Sequence, residues 1–286
     1  MTHITTYQQI TQALTVLDLA EPVTFRFDKA TAIADVLSEL GENIHTSGII
    51  LVEDQERPIG FITSSSNFEN SDQNYPVGTI AEKIDSRQVL SSNLSLYNLM
   101  PLWKREEYPY FILNGAEITH FISKDHMDSA PVKTALFAMT AEFEDLILKL
   151  LTKDLTKIKE RFERLPTGDT NIDKANNLKN NQEAAKRCAK RKGLPNNSFA
   201  HIQSTFLSHK IDILLLDTEL CEFAFPGSDH TILENNLTFI SRFRNEIAHG
   251  GSIFNIVRNL TQLNDIVDLL ESAIIDLSKK LNKLSV

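Results

Sequence analysis

The amino-acid sequence predicts an α+β protein with an N-terminal tandem β-α-β-β repeat in residues 1–128 and a C-terminal all-α bundle in residues 129–286. Two observations support this division. In the N-terminal part, short apolar runs typical of strands alternate with single helical segments, and the same order occurs twice. In the C-terminal part, apolar residues recur at helical spacing through long segments separated by Pro- and Gly-containing breaks, which is typical of helix bundles.

The two copies of the repeat share one order of elements. A short helix is predicted at 6–20 before the first copy, and a polar loop at 64–76 joins the copies. The first copy is predicted to have a strand at 23–27, a helix at 30–40, and a hairpin with strands at 48–52 and 58–63. The second copy opens at 80–84 and is predicted to have a strand at 89–90, a helix at 96–105, and strands at 108–113 and 117–123, joined by the tight-turn pair Asn114-Gly115.

This repeat resembles a tandem pair of CBS domains over about residues 20–127, and the best match extends from Ile49 to Thr63. In that family a hydroxyl residue ends the last strand, and an Asp three positions later holds a ribose. The resemblance therefore implies an adenine-nucleotide regulatory ligand, with Thr63, Ser123 and Asp125 as its candidate contacts. The pattern departs from the family at both sites, because position 66 is Ser and Asp125 lies one position early, with His126 at the nominal place. The alternative is a degenerate pair that only dimerises or packs.

The C-terminal half contains four long helical patterns. The first begins at the capping segment Ser129-Ala130-Pro131 and continues as an apolar stripe from Val132 to Phe162. The others are predicted at 199–223, 230–249 and 253–284. The short joints between them predict a bundle of four or five helices.

The segment from Phe239 to Gly251 carries the strongest chemical signal of the chain. It places Arg244 and Asn245 near the end of an amphipathic helix, with His249 before two glycines. Asn245 and His249 share a helix face, whereas Arg244 and His249 lie about 140° apart on an ideal helix and converge only if the last turn loosens or the arginine swings over. Arginine and histidine together can bind a phosphate and move a proton, as RNA cleavage by a neighbouring 2′-hydroxyl requires. The alternative is an ordinary helix end, where cations complement the dipole and Gly forms the cap.

The pattern Arg-Asn-x-x-Ala-His resembles the signature of HEPN domains, and its place in an all-helical region agrees with that family. The resemblance implies a HEPN-like bundle, a metal-independent endoribonuclease that leaves 2′,3′-cyclic phosphate ends, and Arg244, Asn245 and His249 as catalytic residues. It also implies a homodimer that pairs two motifs, and a role in toxin or antiphage defence. Some family members carry a modified Tyr two residues beyond the histidine, where this chain has Gly251. The competing function is a non-enzymatic, nucleotide-sensing or dimerising adaptor with an unused motif.

The charge of the chain is unevenly distributed. The formal net charge is −9, but the segment from Lys174 to Gly193 has seven cations and one acid, so it carries +6 and the remainder carries −15 by difference. A basic segment on an acidic protein focuses a polyanion to one place. The candidate RNA-binding residues are Lys186, Arg187, Lys190, Arg191 and Lys192. The alternative is a solvated helix face or linker.

Other classes of protein are disfavoured by what the sequence lacks. No apolar run approaches the roughly 20 residues needed to span a bilayer, and the N-terminus lacks the basic and apolar regions of a signal peptide. Cys188 and Cys221 have neither disulfide nor zinc spacing. We therefore expect a cytoplasmic protein that binds RNA without a metal and does not enter a membrane.

Overall fold

The computed structural model describes residues 6–41, 48–63, 68, 72–105, 108–153, 157, 183 and 185–283. The chain divides into two compact units. One comprises Gln8–Val132 and is called the β-α-β-β unit below. The other comprises Met1–Tyr7 with Lys133–Val286 and is called the helical unit.

The β-α-β-β unit contains two four-stranded sheets. Its elements are helix α1 (Thr6–Ala13, which begins before the unit boundary), strands β1 (Glu21–Pro22) and β2 (Phe25–Asp28), helix α2 (Ile33–Leu40), strands β3 (Ile49–Asp54), β4 (Arg57–Thr63), β5 (Glu82–Lys83) and β6 (Val89–Ser91), helix α3 (Leu96–Leu99), and strands β7 (Tyr110–Asn114) and β8 (Glu117–Ile122). The strand orders are β2-β3-β4-β5 and β1-β8-β7-β6. Each sheet combines one parallel pair, β2–β3 or β6–β7, with antiparallel neighbours.

Each copy of the repeat completes the sheet of the other copy. Strand β1, at the start of the first copy, pairs with β8 of the second copy, and β5, at the start of the second copy, pairs with β4 of the first. Gly60 of β4 permits the second pairing, because a Cβ at this position would lie 2.6 Å from the carbonyl oxygen of Glu82. The exchange of edge strands makes the two copies a single folding unit.

Strand β3 is apolar along most of its length because both of its faces are buried. Ile50 and Val52 pack with Ile33, Val36 and Leu40 of α2. On the opposite face, Ile49 and Leu51 join a cluster with residues of the second sheet. Phe61 of β4 and Phe111 of β7 meet in that cluster, with ring centroids 5.1 Å apart. An uninterrupted apolar run is the expected pattern for such a central strand.

The predicted helix at 96–105 is only partly α-helical. Helix α3 ends at Leu99, and a 3-10 helix continues from Met100 to Arg105. Pro101 explains the change, because it has no N–H to donate and so cannot extend the α-helical ladder. The helix predicted at 6–20 is also shorter, since α1 ends at Ala13 and only a 3-10 turn at Val16–Asp18 follows.

The helical unit contains seven described helices. They are α4 (Ala130–Thr152, which begins before the unit boundary), α5 (residues 185–191), α6 (Ser198–Gln203), α7 (Leu207–Leu216), α8 (Thr218–Ala224), α9 (His230–Ala248) and α10 (Leu260–Lys283). Their buried stripes form the core, with Phe143 and Ile147 of α4, Leu214 of α7, Phe243 of α9, and Leu270 and Ile274 of α10 all fully buried. No described helix has the length and apolarity that crossing a bilayer requires.

The prediction of one helix over 199–223 was wrong, because three short helices occupy this region. Asp217 ends α7 and caps α8, where its carboxylate accepts a hydrogen bond from the N–H of Leu220 at 3.0 Å. Between α6 and α7, the Thr205 hydroxyl donates to the carbonyl oxygen of Ile202 at 2.6 Å. Such side-chain bonds compete with continued helix.

The last predicted helix begins later than expected, and the first predicted helix is only partly described. Helix α10 begins at Leu260 rather than at 253, because Ser252 caps a separate 3-10 turn and the Asn259 side chain accepts from the N–H of Gln262. Helix α4 ends at Thr152, and the remainder of its predicted stripe, including Ile158 and Phe162, lies outside the described residues.

Candidate functional site

Helix α9 carries the Arg-Asn-x-x-Ala-His motif and ends in a Schellman motif. The N–H of Gly251 donates to the Glu246 carbonyl oxygen, and that of Gly250 donates to Ile247, both at 3.0 Å. Gly250 has a φ of +74°, which favours glycine. His249 therefore caps the helix, and its side chain is exposed.

The second glycine of the motif is held in a tight place. A Cβ on Gly251 would collide with the carboxylate of Glu246, which accepts a hydrogen bond from Asn255 at 2.8 Å. Glu246 is thus a half-buried residue whose carboxylate is held by Asn255. Any side chain at position 251 would require this carboxylate to move.

Arg244 points from α9 towards α4. Its Nη2 lies 3.4 Å from Oε2 of Glu144, and its guanidinium carbon lies 5.6 Å from the ring centroid of Phe137. Nη1 donates to the side-chain oxygen of Asn245, also at 3.4 Å. The side chain is 25% exposed, and its buried Nε has no hydrogen-bond partner among the described residues. Arg244 is therefore positioned by packing and still retains an unused donor.

The carboxylate of Glu144 also holds a buried lysine. Nζ of Lys210, on α7, donates to Oε1 of Glu144 at 2.7 Å and to the Thr205 carbonyl oxygen at 2.6 Å. The lysine side chain is only 3% exposed. Burial lowers the pKa of Lys210, and the hydrogen bond that Lys210 donates to Glu144 opposes this shift. One carboxylate on α4 thus ties together cations from α7 and α9.

These groups border a cleft of about 420 Å³, called the cationic cleft below. Its lining consists of Glu144, Ala185, Arg187, Cys188, Arg191, Lys192, Gln203, Ser204, Thr205, Phe206, His209 and Arg244. The structure therefore brings the motif arginine together with three of the five predicted RNA-binding residues. Lys186 and Lys190 of the same helix are exposed and do not line the cleft, while Lys174 and Lys179 lie outside the described residues.

The other predicted catalytic residues, Asn245 and His249, are not among the residues that line the cleft. Asn245 is half-buried beside Arg244, and His249 is at the exposed helix end, outside the cleft lining. Sequence reasoning missed Glu144, Lys210, Phe206 and His209. The one signal for them was a lysine at 210 inside a strongly apolar helix, because such a residue needs a buried partner.

His209 is an uncharged polar group at the cleft near neutral pH. Burial, followed by the charge of Lys210, lowers its pKa below the ordinary value of 6.5. Its ring centroid lies 5.7 Å from that of Phe206, at an interplanar angle of 59°.

Ser123, a candidate nucleotide contact in the second copy of the repeat, is bonded to a residue three positions further along the chain. Both the N–H and the hydroxyl of Ser123 approach Nδ1 of His126, at 2.9 and 2.7 Å, in a capping box. Because Nδ1 of His126 accepts the Ser123 N–H, the ring proton of His126 is on Nε2. This Nε2 lies 3.4 Å from the Glu21 carboxylate. Asp125 is exposed, Thr63 is half-buried at the end of β4, and Ser66 is outside the described residues. His126, at the position where the family has Asp, is thus used to cap a turn.

Comparison with known proteins gives structural neighbours only. No protein-family model matches the chain, and no curated protein matches it. One similar solved structure shows the CBS domains of a transcriptional regulator from Streptococcus pneumoniae, with a TM-score of 0.33 and 15% identity, covering 41% of this chain and 98% of that one. Another is a conserved CBS-domain protein of unknown function from Thermoplasma acidophilum, with a TM-score of 0.32 and 12% identity, covering 44% and 75%. Among the described residues, no group of three or more His, Cys, Asp or Glu side chains is placed to hold a metal ion.

Substitution of Glu144, whose carboxylate pairs with both Lys210 and Arg244, should cause a large loss of stability. Glu144→Gln should lower the free energy of unfolding by about 3–5 kcal/mol, because it leaves Lys210 buried and unpaired.

The lowered pKa of Lys210 means that the unfolded chain binds more protons than the folded one between that pKa and 10.5, so stability rises with pH in this window. Without Glu144 the pKa of Lys210 falls further. The difference in free energy of unfolding between wild type and the Glu144→Gln variant should therefore shrink as pH rises. Denaturant unfolding of both proteins across alkaline pH measures this.

The neighbouring residue provides a matched control. Asp145 pairs with Lys149 at 2.6 Å on the exposed side of α4, so Asp145→Asn should cost only about 0.5 kcal/mol. Replacing Lys210 with Met in the Glu144→Gln protein should restore most of the lost stability. Equal stabilities for the Glu144 and Asp145 variants would contradict the role of the buried network.

Proposed function

We propose that the protein is a metal-independent endoribonuclease of HEPN type, in which the helical unit binds RNA at the cationic cleft and cleaves it with the α9 motif. The observation that carries this proposal is the meeting of Arg244 with Arg187, Arg191 and Lys192 in the wall of one cleft. The motif and the basic segment are more than fifty residues apart in the sequence, and the fold makes them neighbours.

The electrostatics of the cleft suit a polyanion. Four cationic side chains and one carboxylate line it, whereas the chain as a whole has a net charge of −9. An acidic surface repels RNA elsewhere and leaves the cleft as the favoured place for a phosphate backbone. Lysine and arginine neutralise phosphates without reading the bases, so this step selects RNA by charge.

The chemistry is assigned to three residues. His249 takes the proton from the ribose 2′-hydroxyl, whose oxygen attacks the phosphorus and displaces the 5′-oxygen. Arg244 binds the phosphate and offsets its growing negative charge. Asn245 orients His249 or hydrogen-bonds the phosphate. The leaving oxygen needs a proton in turn, which a second histidine supplies, and each chain has one motif histidine. The reaction therefore requires a two-fold dimer, and gives a 2′,3′-cyclic phosphate and a 5′-hydroxyl.

The β-α-β-β unit is assigned a regulatory role. Its repeat order is that expected of a CBS pair, and the ends of β4 and β8 carry the candidate adenine-nucleotide contacts Thr63, Ser123 and Asp125. A nucleotide bound there would tune the nuclease. Toxin or antiphage defence in the cytoplasm is the setting that this combination suggests.

A second candidate function has its own observation in favour. Arg244 is already paired with Glu144, in a network that includes the buried Lys210. A structural arginine and a histidine at an ordinary helix cap fit a non-enzymatic adaptor that senses a nucleotide or dimerises.

RNA binding should depend on the cleft-lining cations and not on the outer ones. Arg191→Gln with Lys192→Gln should weaken binding of a single-stranded oligonucleotide and lower the log–log salt slope by about 0.7 for each lost phosphate contact. Lys186→Gln with Lys190→Gln removes the same charge from exposed residues outside the lining, so its slope should match wild type. Fluorescence anisotropy across a salt series measures both. Equal slopes for the two double variants would contradict the assignment of the cleft.

Cleavage should require both ends of the motif. His249→Ala should abolish cleavage with the fold intact, because the side chain is exposed. Arg244→Ala should slow it by about a hundred- to a thousandfold through lost phosphate stabilisation. Gel analysis of an RNA substrate should show 2′,3′-cyclic phosphate ends, and EDTA should have no effect.

The same assay tests the proposed dimer and the adaptor alternative. Because two histidines act together, co-expressed His249→Ala chains should suppress wild-type cleavage in mixed dimers. Full activity of His249→Ala, or inhibition by EDTA, would overturn the nuclease mechanism. Absence of cleavage by wild type, with and without ATP or AMP, would favour the adaptor.

A further inference from the structure

An exposed aromatic ring forms one wall of the cationic cleft. The side chain of Phe206 is 60% exposed, although the surrounding wall is polar and charged. An exposed phenylalanine contributes little to the core, and Arg191, Lys192 and Arg244 line the same cleft as this ring. The position of this ring at a cationic cleft suggests that it contacts a ligand with its own flat apolar surface.

The backbone that carries Phe206 is firmly held. Phe206 is the N-cap residue of α7, and its carbonyl oxygen accepts the N–H groups of His209 at 3.1 Å and Lys210 at 3.2 Å. The preceding carbonyl, of Thr205, accepts the buried Nζ of Lys210. The same lysine that pairs with Glu144 therefore holds the backbone from which the ring projects. Such preorganisation lowers the cost of ordering a binding group.

The aromatic and cationic groups of the cleft match the two needs of single-stranded nucleic acid. Successive bases stack on aromatic side chains, and a positively charged groove follows the phosphates. Paired bases in a duplex hide their faces within the stack, so a protruding ring favours single strands. His209 adds a second ring beside Phe206, which its lowered pKa keeps uncharged near neutral pH.

We propose that Phe206 is a base-stacking platform, and that the ligand of the cationic cleft is single-stranded RNA with one base on Phe206 and adjacent phosphates on Arg191, Lys192 and Arg244. This inference rests on the proposed RNA-binding function and deepens it, because it assigns a substrate form and a further contact residue. Stacking is tolerant of sequence, since every base has an aromatic face. The cleft therefore selects strandedness rather than base identity.

The test measures binding by the full-length protein of a 2′-O-methyl oligouridylate, which cannot be cleaved because its 2′-oxygen is blocked. Phe206→Ala should weaken binding by roughly five- to a hundredfold, the range that loss of one stacked base gives on alanine substitution. The salt slope should stay at the wild-type value because no charge is lost. Phe206→Trp should retain wild-type affinity, and a 2′-O-methyl RNA duplex should bind equally to wild type and Phe206→Ala.

Phe199 supplies the matched control. It is 41% exposed on α6 and does not line the cleft, so Phe199→Ala should bind as wild type does. Thermal unfolding checks that each variant is folded. If Phe206→Ala does not fold, RNA binding by Phe206→Trp still tests the proposal. Unchanged affinity in Phe206→Ala, equal weakening on the duplex, or tenfold weaker binding by Phe206→Trp would each overturn the stacking assignment. If the Arg191 and Lys192 double variant also binds as wild type, then RNA binding at the cleft fails with it.

Discussion

The cationic cleft of the helical unit depends on the pairing of the Glu144 carboxylate with Lys210 and Arg244. This carboxylate accepts a hydrogen bond from buried Lys210 on one oxygen and faces Arg244 with the other, and so links α4, α7 and α9. A lysine with 3% exposure is tolerated only with such a partner. The same lysine fixes the Thr205 carbonyl and hence the loop that presents Phe206. The network therefore both pairs the motif arginine and shapes the cleft beside it. In the proposed mechanism Arg244, which this network positions, binds the RNA phosphate.

Much of the fold followed from local patterns. The repeated β-α-β-β order, the hairpins and helix α9 were predicted because apolar periodicity, turn residues and caps act over short distances. The exchange of β1 and β5 between sheets was not predicted, since it depends on pairing between residues far apart, such as Glu21 with Phe121. The continuous helix over 199–223 failed because Asp217 and Thr205 side chains, each able to compete with the backbone, interrupt an otherwise apolar pattern.

The candidate site was predictable in its parts but not as an assembly. Arg244 and the basic segment were each identified from residue type and spacing. That they line one cleft, together with the loop after α6, depends on the tertiary fold. Charge alone predicted one RNA-binding group that contains Lys186, Lys190, Arg191 and Lys192. In the structure Arg191 and Lys192 line the cleft and Lys186 and Lys190 do not, because only one face of α5 reaches it. Glu144 gave no local signal, since its partners lie 66 and 100 positions further along the chain.

The central claim is that RNA lies in the cleft beside Arg244, and photocrosslinking tests it most directly. A single-stranded oligonucleotide containing 4-thiouridine would be irradiated on the full-length protein, and the crosslinked peptides would be identified by mass spectrometry. The account predicts crosslinks in the segments that line the cationic cleft, namely residues 185–192, 203–209 and the end of α9. Crosslinks confined to residues 8–132, or spread evenly over the chain, would contradict it.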